Sequence, residues 1–340
     1  MSPVGVALVG FGYWGPNLAR NVSSARTAEL LVICDASPKR RAEAATAHPG
    51  VRTCGDIDAV LAIPEVEVVM IATPVSTHHG LAQKALRAGR HVFVEKPIAA
   101  NSTQAWDLVD LANVVERRLM VDHTFLYTGA VRKIRELVAA GELGELRYFD
   151  SCRVSLGLIQ SDVDVLWDLA IHDLSILDYV VGRRPTSVSA TGMRHAPSPQ
   201  VNVGFLTLNY ADDFIAHMNV NWLSPVKIRR TLIGGTSKMI VFDDLDPSEK
   251  VKVYDAGYDA IDEGVPSSAV RRRVGDVWTP LIDGREALAV EIDAFAEFVR
   301  GGAVPFNDGR SAARLVEILE AANVSMTKGG CPVELPESRT

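Results

Sequence analysis

Through the first third of the chain, short apolar runs alternate with amphipathic stretches. Residues 4–9, 30–34, 66–72, 91–95 and 119–121 are nearly continuous apolar runs of strand length, as expected of strands buried on both faces. Between them, residues 56–61, 77–87 and 103–118 carry helical spacing, with Asp56 as a cap and Gly89 as a stop signal. Such repetition predicts a parallel sheet with right-handed crossovers. After Asp122 the pattern changes. Residues 127–140 and 165–181 are predicted helices ended by Gly141 and Gly182, and residues 146–155 alternate like a strand. Residues 186–254 are nearly all strand, with hairpins across 201–222 and 227–242, whereas the charged, glycine-rich stretch 255–280 is read as a mobile loop. Helices over 286–300 and 309–322 close the chain. The predicted class is α/β, with a nucleotide-binding domain over 1–122 and an α+β domain over 123–340. The second has an open, mostly antiparallel sheet, and its last helices are expected to pack back on the first domain.

Composition narrows the function. A chain of 340 residues favours two domains, and 47% hydrophobic with 23% charged residues is an ordinary globular balance. The net charge of −7 argues against nucleic acid or an anionic membrane as a partner. Cys34, Cys54, Cys152 and Cys331 form no C-x-x-C pair, so neither a zinc ribbon nor a disulfide framework is expected, and no metal site is read elsewhere. The start carries no basic region or apolar leader, and no run is long enough to span a bilayer, so a cytoplasmic protein is expected.

The first apolar run leads directly into Gly10, Phe11, Gly12, Tyr13, Trp14 and Gly15. Gly10 suits a tight turn, Gly12 lets backbone approach a pyrophosphate, and Gly15 lets a helix pack on the strand. The second run ends in Asp35, twenty residues after Gly15, where an acid binds adenosine ribose hydroxyls. Together these residues predict a Rossmann dinucleotide site. Asp35 repels a 2′-phosphate and favours NAD, although Lys39, Arg40 and Arg41 just beyond it leave NADP open. Thr73, Pro74, His78 and Glu95 fall at strand ends or helix starts on the same side of the sheet.

Two further groups carry candidate chemistry. Glu95 and Lys96 close a buried strand, and Pro97 ends it because it has no N–H to give. Ligands of an open parallel sheet bind beyond these carboxyl ends, so Lys96 would face them. On the helix over 165–181, Asp168, His172, Ser175 and Tyr179 form one stripe. A carboxylate one turn from an imidazole can hold its tautomer and raise its basicity, as a general base requires.

Gly10-x-Gly12-x-x-Gly15, Glu95-Lys96-Pro97 and Asp168-x-x-x-His172, in this order, resemble the Gfo/Idh/MocA (glucose–fructose oxidoreductase and inositol dehydrogenase) family over essentially the whole chain. The resemblance implies a sugar dehydrogenase in which Lys96 hydrogen-bonds the reacting oxygen and Asp168 and His172 face it from the other domain. It also implies a homodimer or homotetramer formed through the C-terminal sheet. The segments around residues 13–21 and 164–173 are similar to members from sugar-nucleotide and aminosugar pathways. Asp162 and Asp164 would suit a substrate bearing ammonium groups, such as an aminoglycoside, or be solvated loop acids. Tyr127, Arg153 and Trp167 are further candidates for substrate contact. The expected reaction is NAD-dependent oxidation of a ring secondary alcohol, with the 3-position suggested by analogy. The alternatives are an NADPH-dependent keto-sugar reductase, an NAD-dependent glycosidase and a nucleotide sensor without catalysis.

Overall fold

The computed structural model describes residues 2–157, 163–195, 198–259 and 271–336. The chain divides into two compact units. The first comprises Met1–Tyr127 with Arg285–Glu317, and the second Thr128–Gly284 with Ile318–Thr340. The division falls five residues beyond the expected 122/123 boundary and returns residues 285–317 to the first unit.

The first unit is a six-stranded parallel sheet in the order β3-β2-β1-β4-β5-β6. Its strands are β1 (Val4–Val9), β2 (Ala28–Cys34), β3 (Arg52–Cys54), β4 (Val68–Ile71), β5 (His91–Glu95) and β6 (Leu119–Asp122). Helices α1 (Gly15–Ser24), α2 (Pro38–Ala47), α3 (Ile57–Leu61), α4 (Val75–Arg87) and α5 (Ser102–Val114) connect them. Every residue of β1 and β4 is buried, which explains their unbroken apolar runs. Ser37, Asp56 and Asn101 cap their helices through side-chain oxygens. A late helix, α8 (Ala287–Val299), packs on this sheet by Leu288, Ile292 and Phe295, with the Phe93 and Phe295 rings 5.4 Å apart.

The second unit begins with α6 (Gly129–Ala139), β7 (Leu146–Leu156) and α7 (Ile171–Val181). Its strands continue as β8 (Ser187–Met193), β9 (Val203–Asn209), β10 (Ile215–Asn221), β11 (Leu223–Gly235), β12 (Met239–Asp243), β13 (Val251–Asp259) and β14 (Arg271–Trp278). After α9 (Gly309–Thr327), whose second half belongs to this unit, comes β15 (Val333–Glu334). The nine strands lie in the order β14-β13-β12-β11-β7-β10-β9-β8-β15. All neighbours are antiparallel except β7 and β10. Ala216, Met218 and Val220 of β10 are buried, while Ile215, His217, Asn219 and Asn221 on the other face are not. One face is therefore packed and one open.

Of the stretch 255–280, read as a mobile loop, residues 260–270 lie outside the described residues, and 255–259 and 271–278 are strand, a correction. β13 and β14 pair as a hairpin, and Arg273 bonds Asp255 across it. Its charge misled the reading because an edge hairpin keeps polar residues outside a core. Among the described residues, no helix is long and apolar enough to cross a membrane.

Candidate active site

Three glycines shape the turn after β1 by different means. Gly10 has φ of +98°, and a Cβ there would lie 2.5 Å from the Ala72 carbonyl oxygen. A Cβ on Gly15 would lie 2.3 Å from the Gly10 carbonyl oxygen, so only glycine lets α1 start so close to the turn. Gly12 faces open space, which leaves its backbone accessible to a diphosphate. The Asp35 carboxylate braces this loop: Oδ2 accepts from Phe11 N at 2.7 Å and Oδ1 from Ser37 N at 2.8 Å. A carboxylate has about four lone-pair sites, so two ribose hydroxyls can still be accommodated. Phe11 is buried and Tyr13 is 91% exposed.

The basic cluster beyond Asp35 is largely engaged. Arg41 donates to the Asp35 and Ala36 carbonyl oxygens at 2.8 and 2.9 Å. Arg40, expected at the cofactor, pairs with Glu43 at 2.8 Å along α2.

At the carboxyl ends of β4 and β5, Thr73 is partly buried and Pro74 is exposed. His78, expected to touch the cofactor, is fully buried. Its ring bridges the carbonyl oxygens of Pro97 (Nδ1, 2.9 Å) and Thr73 (Nε2, 2.8 Å), and so ties two strand ends together from beneath. Glu95 and Lys96 are partly exposed, and the Lys96–Pro97 peptide is cis. Glu95 Oε2 accepts from Lys96 N at 3.2 Å. Burial, reinforced by Asp122, pushes the Glu95 carboxyl well above the usual range, while Lys96 pulls it down. Trp14 of the glycine loop donates its indole N–H to Asp122 Oδ2 at 2.8 Å. Tyr127, a candidate for substrate contact, is partly buried, and its hydroxyl donates to Asn307 Oδ1 at 2.7 Å within the first unit.

In the second unit, a π-helical turn, Leu166–Ala170, leads into α7. Such widened turns recur at functional sites. Asp168 lies on it and His172 one turn further, both partly exposed. Asp168 Oδ2 accepts the indole N–H of buried Trp222 at 3.1 Å. Ser175, expected on the same stripe, is 2% exposed, and its hydroxyl donates back to the His172 carbonyl at 2.7 Å. Arg153, a candidate for substrate contact, is buried and grips Asp173 through Nε and Nη2 at 2.7–3.1 Å. Asp164 is a cap whose Oδ1 accepts from Leu166 N and Trp167 N at 2.8 and 3.1 Å. Burial raises its pKa above the ordinary carboxylate value. Trp167 is only 7% exposed. Asp162 lies outside the described residues.

Two family models match, one described as an oxidoreductase family with an NAD-binding Rossmann fold over residues 4–123, the other as a GFO/IDH/MocA C-terminal domain over 131–241. The chain belongs to the Gfo/Idh/MocA oxidoreductase family. It is 29% identical to a UDP-N-acetylglucosamine 3-dehydrogenase of Acidithiobacillus ferrooxidans, over 91% of this chain and 93% of that one. A crystal structure of that name from the same organism superposes with a TM-score of 0.81 at 25% identity, covering 96% of this chain and 99% of the other. GenD2 from gentamicin A biosynthesis, solved with NAD, shares the fold with a TM-score of 0.83 at 24% identity, over 99% and 97% of the two chains. The protein is an NAD-binding oxidoreductase, and the glycine turn with Asp35 fits that cofactor on its own geometry.

Several residues of these surroundings escaped the sequence reading. Trp222 has no local signal, because only the sheet brings the end of β10 to Asp168. Asp122 directly follows an apolar run and was legible as a strand-end acid. Glu291 also left a trace. With Leu288, Ile292 and Phe295 it follows i, i+3, i+4, i+7 spacing, so a charged residue occupies a core position of α8.

Proposed function

We propose that this family member oxidises a secondary alcohol at the 3-position of a sugar ring, passing the hydrogen to NAD. Bound NAD supplies the hydride acceptor. His172 accepts the proton of the reacting hydroxyl, Asp168 orients His172, and Lys96 donates a hydrogen bond to the oxygen as negative charge builds on it. The observation that carries the reading is Lys96 at the carboxyl end of β5, on the ligand-binding edge of a parallel sheet whose glycine turn suits a dinucleotide. The 3-position and an aminosugar skeleton are supported by the end-to-end similarity to the UDP-N-acetylglucosamine 3-dehydrogenase. Asp164, as a helix cap, makes no case for an ammonium-bearing substrate.

The test is NADH formation with UDP-N-acetylhexosamines in one arm and aminoglycosides in another. Turnover in either arm, lost in Lys96→Ala with cofactor affinity kept within about threefold, supports the reading. No NADH from any sugar, or full activity in Lys96→Ala, overturns it.

The protein is further proposed to be cytoplasmic and to associate as a homodimer or homotetramer through the open face of its nine-stranded sheet. That face carries exposed Phe205, Ile215 and Ile228, and side chains of this kind favour a covered surface. Light scattering on the purified protein decides between one copy and several.

A further inference from the structure

Three carboxyl groups meet at the nucleotide edge of the first unit. Glu95 and Asp122 are register partners at the ends of neighbouring parallel strands, so their side chains project from the same face. Glu291 reaches them from α8, and it and Glu95 both lie against the Asp122 carboxyl. The other titratable groups facing this cluster are Lys96 and His123. Burial holds the His123 imidazole neutral, with its pKa lowered to about 4. Among the described residues, the cluster is not arranged to hold a metal ion.

The hydrogen bonds distinguish the three acids. Asp122 accepts from Trp14 Nε1 through Oδ2, and from the Thr124 amide and hydroxyl through Oδ1, which suits a carboxylate. Glu291 is fully buried; its Oε1 accepts from His123 N at 3.0 Å and from Asn307 Nδ2 at 2.8 Å. Its Oε2 is shut away from water and makes no hydrogen bond; its neighbours are the Thr124 hydroxyl, which donates to Asp122, and the Asp122 carboxyl, another acceptor. Two buried acceptors in contact repel unless one carries a proton, and a proton on Glu291 Oε2 turns the clash into a hydrogen bond.

We propose that Glu291 is a positioning residue: as a neutral carboxylic acid it donates a hydrogen bond to Asp122 and so fixes the carboxylate that holds Trp14 of the cofactor loop. Burial, then Asp122, push the Glu291 carboxyl well above its ordinary value, in the direction this requires. The inference concerns NAD binding and rests on neither the sugar nor the role of Lys96, so it survives failure of the catalytic reading.

Glutamine is the discriminating substitution. It keeps the oxygen that accepts from His123 and Asn307, and offers Asp122 an N–H in place of the acid proton. In the folded parent Glu291 keeps a proton that the unfolded chain releases in the ordinary carboxylate range. Its contribution to stability therefore falls as pH rises above that range. Glu291→Gln lacks this loss, and Glu95, which Glu291 also shifts, meets a neutral neighbour in both proteins as long as Glu291 keeps its proton. The melting temperature of Glu291→Gln relative to the parent should therefore rise steadily from about pH 5 to about pH 8. A flat or falling difference would mean that Glu291 is ionised and would overturn the proposal. NADH affinity, measured by nicotinamide fluorescence, should fall about fivefold or more in Glu291→Ala and recover in Glu291→Gln. Where Glu291→Ala does not fold, Trp14→Phe removes the indole N–H that Asp122 accepts, together with the pyrrole part of the ring, and should weaken NADH severalfold. Unchanged affinity in the variant that folds would sink the link to the cofactor loop.

Discussion

The two units present their chemistry by different means. In the first, Gly10, Gly12, Asp35, Lys96 and Asp122 sit where parallel strands end. The topology itself gathers them, since every strand of a parallel sheet delivers its carboxyl end to one edge. In the second, Asp168 and His172 ride on one helix and not on strand ends, so the topology of the sheet does not gather them. Their bearing is set from outside the helix, by Trp222 just after β10 and by the Arg153–Asp173 pair between β7 and α7. Strand-end chemistry inherits its precision from backbone hydrogen bonds, whereas helix-borne chemistry needs buried side chains to hold the helix in place.

The largest effect should come at Lys96. Lys96→Ala removes the donor for the developing oxyanion and should cost about 10²–10³-fold in kcat, read by steady-state kinetics against NADH affinity. Activity within a few-fold of the parent would leave the first unit a binding cradle alone.

The anchor of the second unit comes next. Asp173→Ala removes the carboxylate gripped by the buried Arg153 guanidinium and should cost about 3–5 kcal/mol in urea unfolding. A loss under about 1 kcal/mol would show that α7 is held by packing and not by the pair.

Gly10→Ala tests the other side of the comparison. Its positive φ and the approach of the Ala72 oxygen predict about 1–3 kcal/mol of destabilisation and weaker NADH binding. Gly12→Ala, facing open space, should spare stability and weaken the cofactor alone, and equal stability losses would erase the distinction. Asp35→Asn should weaken NADH about tenfold and narrow the preference over NADPH, as seen by parallel titrations.

The smallest effect at neutral pH concerns His123. Its folded pKa of about 4 lies below the ordinary value of 6.5, so the unfolded chain binds more protons between the two. Stability is therefore lost as pH falls from about 6.5 towards 4, and His123→Gln should flatten that acid limb while changing little at pH 7. An unchanged limb would assign it to His91, lowered to about 4 mainly by burial.

The linear sequence determined the elements and the cofactor cradle. Apolar runs must be buried on both faces, and a glycine turn with an acid one strand later is a local arrangement, so both can be read without a fold. Asp168, His172 and Lys96 were visible as residue types at telling positions. Only the tertiary structure decided which side chains were already engaged. Arg153 and Asp164 have the chemistry of substrate contacts, yet one is buried against Asp173 and the other caps a helix. His78 similarly bridges two carbonyl oxygens beneath the strands it was expected to crown. The carboxyl group of Asp122, Glu95 and Glu291 joins residues far apart in the chain, and its protonation follows from burial and mutual contact. Those are properties of packed space, which no spacing along a chain encodes.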